Sequence, residues 1–495
     1  MHNDLTGATV AKAVNNGAFV AIVGGGFSAI CLAAHLHRQR TAAIDVVVFE
    51  RATLASGTAF RTSEAAHLLN GPAGNLSAFE DLPDDFADFL ADDPAAAEFI
   101  EDATPIQRQF VPRTLYKRYL ERIVARLRAP SPIGTTVRFV RDEVTDVVPH
   151  DGHIDVVLRD GGVARAHHAV LAVGHPSAQA LGPRLGERFV IDDPWNAAAI
   201  RAIRTDAPVA VIGSGQTASD MVLGLIANGH TGQITLVSRR GLVAQPYIHV
   251  DRSITVQRDE LPRRLLPLMR WVRSTSRRLA EQGGDWRALI NALRPHTQDV
   301  WHGFSTFEKR AFLEHLAPFW HMHRTRLPPA TAVRMQELRK RGQVRVVAGR
   351  IDGASPADDV LELRIRRRGT HALERLPAAA IINCTGPCWD TSDPHNQLVG
   401  RLLSSGVVRW DDVRVGIDIT PDGTPLDRLG RRDGRLSAIG PIGKGSLLEI
   451  IAIRDIRVQC AELASRLVRS RELAQRPAQA PPHDVGTALS PAHAR

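Results

Sequence analysis

The chain has 495 residues, 44% hydrophobic and 23% charged, an ordinary globular composition that excludes disorder over the whole length. At about 150 residues per domain this points to two or three domains. The net charge of +9 is concentrated: residues 255–350 hold 19 Lys and Arg against 8 Asp and Glu, and the rest is close to neutral. Such a segment attracts nucleic acid, a membrane surface or an anionic small molecule.

In chain order, residues 1–17 are polar, with neither an apolar signal core nor an Arg-rich transit pattern. No run of about 18 apolar residues follows, so a cytoplasmic protein without a membrane partner is expected. A first βαβ unit then reads clearly. The strand Phe19–Val23 leads into Gly24-Gly25-Gly26-Phe27-Ser28-Ala29, an apolar helix to Leu36 and a second strand, Asp45–Phe49, closing on Glu50. A loop-rich stretch (56–112), a helix (115–127) and strands near 137–148 and 154–158 precede the strand Ala169-Val-Leu-Ala-Val-Gly-His175. A second βαβ unit repeats the plan about 190 residues after the first. Its strand Val209–Ile212 meets Gly213-Ser214-Gly215-Gln216-Thr217-Ala218, a helix through Leu225, and a strand closing on Ser238-Arg239-Arg240. Basic amphipathic helices fill about 258–345. Short strands follow near 344–347 and 361–365, then a strand and turn at 381–386. A last glycine-rich turn, 439–445, leads into a helix through Leu467, and the Ala/Pro-rich tail is expected to be disordered.

Each glycine turn has a physical task. Gly24 permits a sharp turn, Gly26 lets the backbone approach a pyrophosphate, and Ala29 keeps helix and strand close. The helix N-terminus offers unpaired N–H groups and partial positive charge to phosphates. Glu50 is placed to accept the hydroxyls of an adenosine ribose and to repel a 2′-phosphate, which suits FAD or NAD. At the second turn Ser238, Arg239 and Arg240 replace that acid, and guanidinium groups pair with phosphate through forked hydrogen bonds, which favours NADPH. One nucleotide at each site makes a hydride donor and acceptor pair.

At these residues the sequence resembles the flavoproteins with two dinucleotide-binding domains, from about Phe19 to Leu467. The run Val211-Ile-Gly-Ser-Gly-Gln-Thr-Ala-Ser-Asp220 is similar to the NADPH motif of flavin-dependent N-hydroxylating monooxygenases. Phe110-Val-Pro-Arg113, Ala172-Val-Gly174 and Asn383-Cys-Thr-Gly386 resemble further segments of those enzymes. His67-Leu-Leu-Asn70-Gly-Pro, Phe319-Trp-His-Met-His-Arg324 and the Ile439–Glu449 stretch resemble a bacterial branch that includes enzymes oxidising L-aspartate to nitrosuccinate. Val173 and Cys384 depart from the Ala-Thr-Gly pattern but leave its glycine in place. No redox Cys pair is visible, because Cys31 stands alone on its helix, so disulfide reductases are set aside.

The resemblance implies an α/β fold with two Rossmann-like domains, for FAD and NADPH, in three-layer ββα form with a mostly helical insertion. The domains expected are an N-terminal extension 1–17, FAD domain 18–178 and 386–470, NADPH domain 179–257 and 336–385, basic helical lid 258–335 and disordered tail 471–495. It implies oxygen transfer to an amine nitrogen through a C4a-hydroperoxyflavin, with O2 and a small amine or amino acid as partners. Cofactor contacts are expected at Gly24, Gly26, Phe27, Ser28, Glu50, Arg51, His67, Arg113, Gly213, Gly215, Gln216, Thr217, Ser238, Arg239, Arg240, Gly386, Gly440 and Ser446. Asn70 is the candidate for a contact beside the flavin, with a plain Asn-Gly turn as the alternative. Lys444 either assists there or is solvated. Arg324, Arg326 and His323 are the candidate substrate contacts, with surface or core roles as the alternative. Without a nucleic-acid motif, nucleic acid is not expected as a partner. No metal is expected, since His321 and His323 lack a third ligand at suitable spacing. An oligomer is left open. A flavin oxidoreductase without oxygen insertion and a non-catalytic flavin-binding protein are the alternatives to a monooxygenase.

Overall fold

A computed structural model describes residues 19–250, 253–370, 372–389, 393 and 396–475. The expected N-terminal extension and residues 476–495 of the expected tail lie outside the described residues.

Strand β1 (Phe19–Val23) and the three Val plus Phe49 of β2 (Asp45–Phe49) are buried on both faces. Such unbroken apolar runs belong to the middle of a parallel sheet. Between them lies α1 (Phe27–Arg38). After α2 (Arg113–Leu127), β3 (Thr136–Val140) joins the same sheet. An antiparallel meander follows, β4 (Val144–His150), β5 (His153–Leu158) and β6 (Val163–Ala166), and then β7 (His168–Leu171) returns beside β1. The meander lies on one face of the sheet, with β5 against β7 and β6 against β1.

The second unit contains β8 (Val190–Ile191), β9 (Val209–Ile212), α3 (Gln216–Ala227) and β10 (Ile234–Ser238). The insertion follows as α4 (Leu265–Glu281), α5 (Trp286–Leu293), α6 (Thr297–Gly303), α7 (Thr306–Ala311), a π-helical turn at Phe312–Leu316, and α8 (Ala317–Arg324). Helix α9 (Pro329–Lys340) packs on α3 and serves as the crossover into β11 (Val344–Ala357). Strands β12 (Val360–Arg367), β13 (Leu373–Ala378) and β14 (Ala380–Asn383) complete a seven-stranded sheet of order β13-β12-β11-β10-β9-β14-β8. The chain then re-enters the first unit through β15 (Leu436–Ala438), giving the parallel order β15-β7-β1-β2-β3, and ends in α10 (Ile453–Gln475). Helices α2 and α10 both pack on α1, so the first unit is three layers: helices, parallel sheet, meander.

Several details differ from the sequence expectation. The strand expected near 344–347 runs fourteen residues, because its first part, to Ala348, pairs with β10 and its second, from Gly349 on and with an irregularity at Ile351/Gly353, pairs with β12. That bend packs Leu361, Leu363, Ile365 and Leu376 against Ala210, Val237 and Val347, repeating the ββα layering. Strands β6 and β13, whose sequences carry little apolar signal, were not foreseen. The helix expected from the 439–445 turn is broken: a single turn at Lys444–Leu447 ends where Leu448 takes φ +50°, and α10 begins only at Ile453.

Candidate functional site

Two chain crossovers organise the site. Beyond β7 the backbone leaves the first unit through Ala172–His175, and beyond β14 it returns through Cys384–Gly386. The two crossings touch: Ala178 bridges Pro387, and the Cys388 N–H donates to the Ser177 carbonyl at 2.9 Å. Each glycine turn rests on one of them. Gly24 has φ +113°, and a Cβ there would lie 2.5 Å from the Ala172 carbonyl oxygen. Gly213 has φ +132°, and a Cβ there would run into the Cys384 carbonyl. Both positions therefore admit only glycine.

The two helices that follow begin on Gly26 and Gly215, neither of which provides a side-chain cap, and neither first turn holds an acid. A Cβ at Gly215 would meet nothing within 4 Å, and at Gly26 only the Cα of Gly57 at 3.6 Å. The unpaired first-turn N–H groups thus face open space, and a dinucleotide pyrophosphate fits both cradles. At the first, Glu50 accepts the Gly25 N–H at 2.6 Å and the Ala52 N–H at 2.8 Å, which fixes the carboxylate at the end of β2. Gly440, at φ +75°, forms the far wall. A Cβ there would lie 2.7 Å from Ser28 Oγ, so the turn after β15 abuts the start of α1. Gly386, at φ +91°, lies in open space on the return crossing.

Several expected cofactor contacts are committed elsewhere. Phe27 is buried against Tyr116, with ring centroids 6.1 Å apart. Arg51 is turned to Glu143 at 3.2 Å. Ser446 accepts the Ile419 N–H at 3.0 Å within the core. Ser238 accepts hydrogen bonds from the Ser214 hydroxyl and the Gly241 N–H, shaping the loop after β10. Arg240 donates to the Glu314 carbonyl at 2.8 Å, whereas Arg239 is exposed. Thr217 is half-buried in the first turn of α3.

His67, Asn70 and Arg113 form the seam between the units. Arg113 pairs with Asp220 of α3 at 2.9 Å, both nearly buried, and its guanidinium sits 5.7 Å from the Trp195 ring. His67 Nδ1 meets Thr62 Oγ1 at 2.7 Å, while Nε2 is buried without a partner, facing Gly224. Burial, then the Arg113 charge, pushes the His67 imidazole down to about 4. Burial raises Asp220 to about 6 despite the opposing Arg113. Asn70 Nδ2 donates to Gln216 Oε1 at 2.9 Å, and Gln216 Nε2 donates to the Arg326 carbonyl at 2.8 Å. This short relay links first unit, second cradle and lid.

The candidate substrate contacts are likewise occupied. Arg324 lies 2.7 Å from Glu449 and 3.3 Å from Asp455, with 7% of its side chain exposed. Trp320 Nε1 donates to the same Glu449 at 2.7 Å, and Trp301 Nε1 to the Gly445 carbonyl at 2.7 Å. The break at Leu448 thus carries Glu449 up to the lid. Arg326 donates to the His323 carbonyl and to Asn291, and His323 meets the edge of Trp286. What remains uncommitted is Lys444, which makes no ion pair among the described residues. Burial lowers its pKa, and Glu449 partly offsets this. Burial, then the charge of Lys444, holds His175 and His321 each at about 4. Two neutral imidazoles, one from the crossover and one from the lid, therefore share the field of one interior cation.

Sequence reading missed His175, Asp220, Glu449 and Asp455, whose roles arise from contacts far apart in the chain. It also missed Cys460, whose thiol lies beside that of Cys31, so Cys31 does not stand alone. Both thiols are fully buried in the core of the first unit, where the Cys460 thiol lies 3.5 Å from the Ser28 carbonyl.

Comparison with known proteins agrees with this geometry. The profile of a FAD-NAD(P)-binding family matches residues 21–176. No curated protein matches the sequence. Among solved structures, the chain is similar to the ornithine N-hydroxylase of Kutzneria sp. 744 (TM-score 0.64, 16% identity, 92% of this chain and 99% of that one). It is similar to the cadaverine monooxygenase of Erwinia amylovora (0.64, 14%, 97% and 100%). The L-lysine 6-monooxygenase of Pseudomonas syringae is comparable (0.63, 16%, 93% and 100%). At these identities the likeness establishes the fold: two Rossmann-type units with parallel sheets and flanking helices.

Proposed function

We propose that the protein is an FAD- and NADPH-dependent monooxygenase that hydroxylates the amine nitrogen of a small, amino-acid-like substrate, of which L-aspartate is one candidate. The balanced reaction is R–NH2 + O2 + NADPH + H+ → R–NHOH + NADP+ + H2O. One observation carries the reading: two uncapped glycine-turn helices lean on adjoining crossovers, and the second is hydrogen-bonded through Gln216 to Asn70 of the first unit. Two dinucleotides held there would share one molecule, as hydride transfer between them requires. The match at 21–176 and the fold shared with amine hydroxylases support the same reading.

The first cradle, with Glu50, Ser28 and Gly440, holds FAD; the second, with Gln216 and exposed Arg239, holds NADPH. A bound flavin reduced by NADPH supplies the electrons that activate O2. The chain's own residues exclude water and set charge. Trp301 and Trp320 tie the lid to the Gly445–Glu449 segment that follows Lys444. Lys444 offers the cation that an anionic substrate group needs once desolvated. His175 and His321, kept neutral, accept or donate a hydrogen bond beside the amine without adding charge that would repel it.

The test is to load the protein with FAD and follow NADPH consumption in air against a panel of amino acids and diamines, assaying hydroxylamine and hydrogen peroxide in parallel. Substrate-dependent hydroxylamine formation is expected. Peroxide alone with every amine would assign the chain to flavin oxidases, and an absence of NADPH oxidation would leave a flavin-binding protein.

A further inference from the structure

The β4–β5 hairpin presents a cluster that the nucleotide chemistry does not use. His150 and His153 are a cross-strand pair at its end, joined by the turn Asp151-Gly152, with Gly152 at φ +86°. Directly paired residues on neighbouring strands carry their side chains on the same face. The imidazoles stack with centroids 4.8 Å apart and planes 16° from parallel. Asp155, two residues after His153, shares that face because side chains alternate along a strand. Its two oxygens lie 3.2 Å from His150 Nε2 and 3.4 Å from His153 Nε2. One ligand atom from each residue falls within 4.8 Å of the others.

We propose that His150, His153 and Asp155 bind a divalent transition-metal cation of the zinc, nickel or copper type. Two imidazole nitrogens and one carboxylate oxygen suit such borderline cations, with water completing an open coordination sphere. Magnesium and calcium, which take oxygen ligands, are poorly served. The stacking supports this role, because near-parallel rings aim both Nε2 atoms at the carboxylate. The opposing group is Arg165, whose Nε sits 3.4 Å from Asp155 and whose side chain is 64% exposed. It competes for the carboxylate and swings to solvent when the cation arrives. The cation would also brace the hairpin: the His150 carbonyl accepts from Arg435, whose own carbonyl accepts the Ala169 N–H of β7.

The experiment is calorimetric titration of the tag-free, full-length protein with zinc chloride at pH 7.5, with magnesium chloride as control. One zinc equivalent is expected, together with a rise in Tm. His153→Ala and Asp155→Asn should each weaken that site at least about tenfold, the scale on which metal sites respond to lost partners. Arg165→Gln should tighten it, an effect that a nonspecific surface histidine would not produce. Cys388→Ser should leave it unchanged. Circular dichroism of the metal-free variants checks that the hairpin folds. The proposal is overturned if wild type takes up no zinc, or if the His153 and Asp155 variants fold and bind as wild type does.

Discussion

Selectivity between the two reduced nicotinamide cofactors rests on unequal arginines. Arg239 is exposed at the end of β10, while Arg240 is engaged with the Glu314 carbonyl of the π turn. Arg239→Ala should therefore weaken NADPH binding by about 1–2 kcal/mol, the value of a partly exposed charged hydrogen bond, and leave NADH nearly unaffected. Arg240→Ala should change both cofactors alike, through the lid. Binding isotherms for the two nucleotides on each variant decide this, and an equal loss of NADPH and NADH in Arg239→Ala would refute it. Gly213 gives a sharper test. Gly213→Ala places a methyl group against the Cys384 carbonyl at a φ that L residues avoid, so NADPH binding should be lost while the first unit retains FAD. Loss of both would mean that the units do not fold independently of that turn. These glycines were legible in the sequence because their task is local. Arg324 was not: its basic, helical context signalled an anion, but the anions that claim it, Glu449 and Asp455, lie more than 120 residues away.

At the level of elements, α8 is held to the body of the protein by a buried charge cluster rather than by apolar packing. Arg324 serves two carboxylates, and Trp320 donates to one of them. Removing the cation strands the buried Glu449, while Asp455 keeps Arg454 beside it; loss of one partner of a buried pair is typically worth about 3–5 kcal/mol. Arg324→Ala should thus lower the first unfolding transition by several degrees and raise protease cleavage within the lid. Trp320→Phe, which removes one hydrogen bond, should cost only about 1 kcal/mol. Limited proteolysis with differential scanning calorimetry reads both; matching effects would show that the ring packing, not the charge cluster, holds α8. The strands and helices of the two βαβ units were legible because period and glycine punctuation are local signals. β13 (LERLPA) and β6 (VARA) were not, since each gains its buried face only from a neighbouring strand. The break at Leu448 was hidden for a related reason: tertiary contacts of Glu449, not a Gly or Pro, interrupt the helix.

For the molecule as a whole, acid should be more disruptive than the excess of basic residues suggests. His67, His168, His175 and His321 are each held at about 4, chiefly by burial. An unfolded histidine titrates near 6.5, so between about 4 and 6.5 the unfolded chain binds more protons than the folded one. Stability therefore rises with pH across that window and falls as pH drops through it. Asp220, raised to about 6, acts in the opposite sense. Its folded form holds a proton that the unfolded acid, near 3.9, has lost, which cancels about one histidine. The remaining three contribute at most about 3.5 kcal/mol each, at about 1.4 kcal/mol per pKa unit. Against a total stability of about 5–15 kcal/mol, that is a large share, so stability should fall markedly as pH drops towards 4. Urea midpoints at pH 7.5, 6.0 and 4.5 should fall steadily. His168 is the informative position, since it is buried against Ser437 at 2.9 Å and lies outside both cradles. His168→Gln should flatten the pH slope by roughly one proton, whatever its effect at pH 7.5. An unchanged slope would show that His168 titrates alike in the folded and unfolded chain.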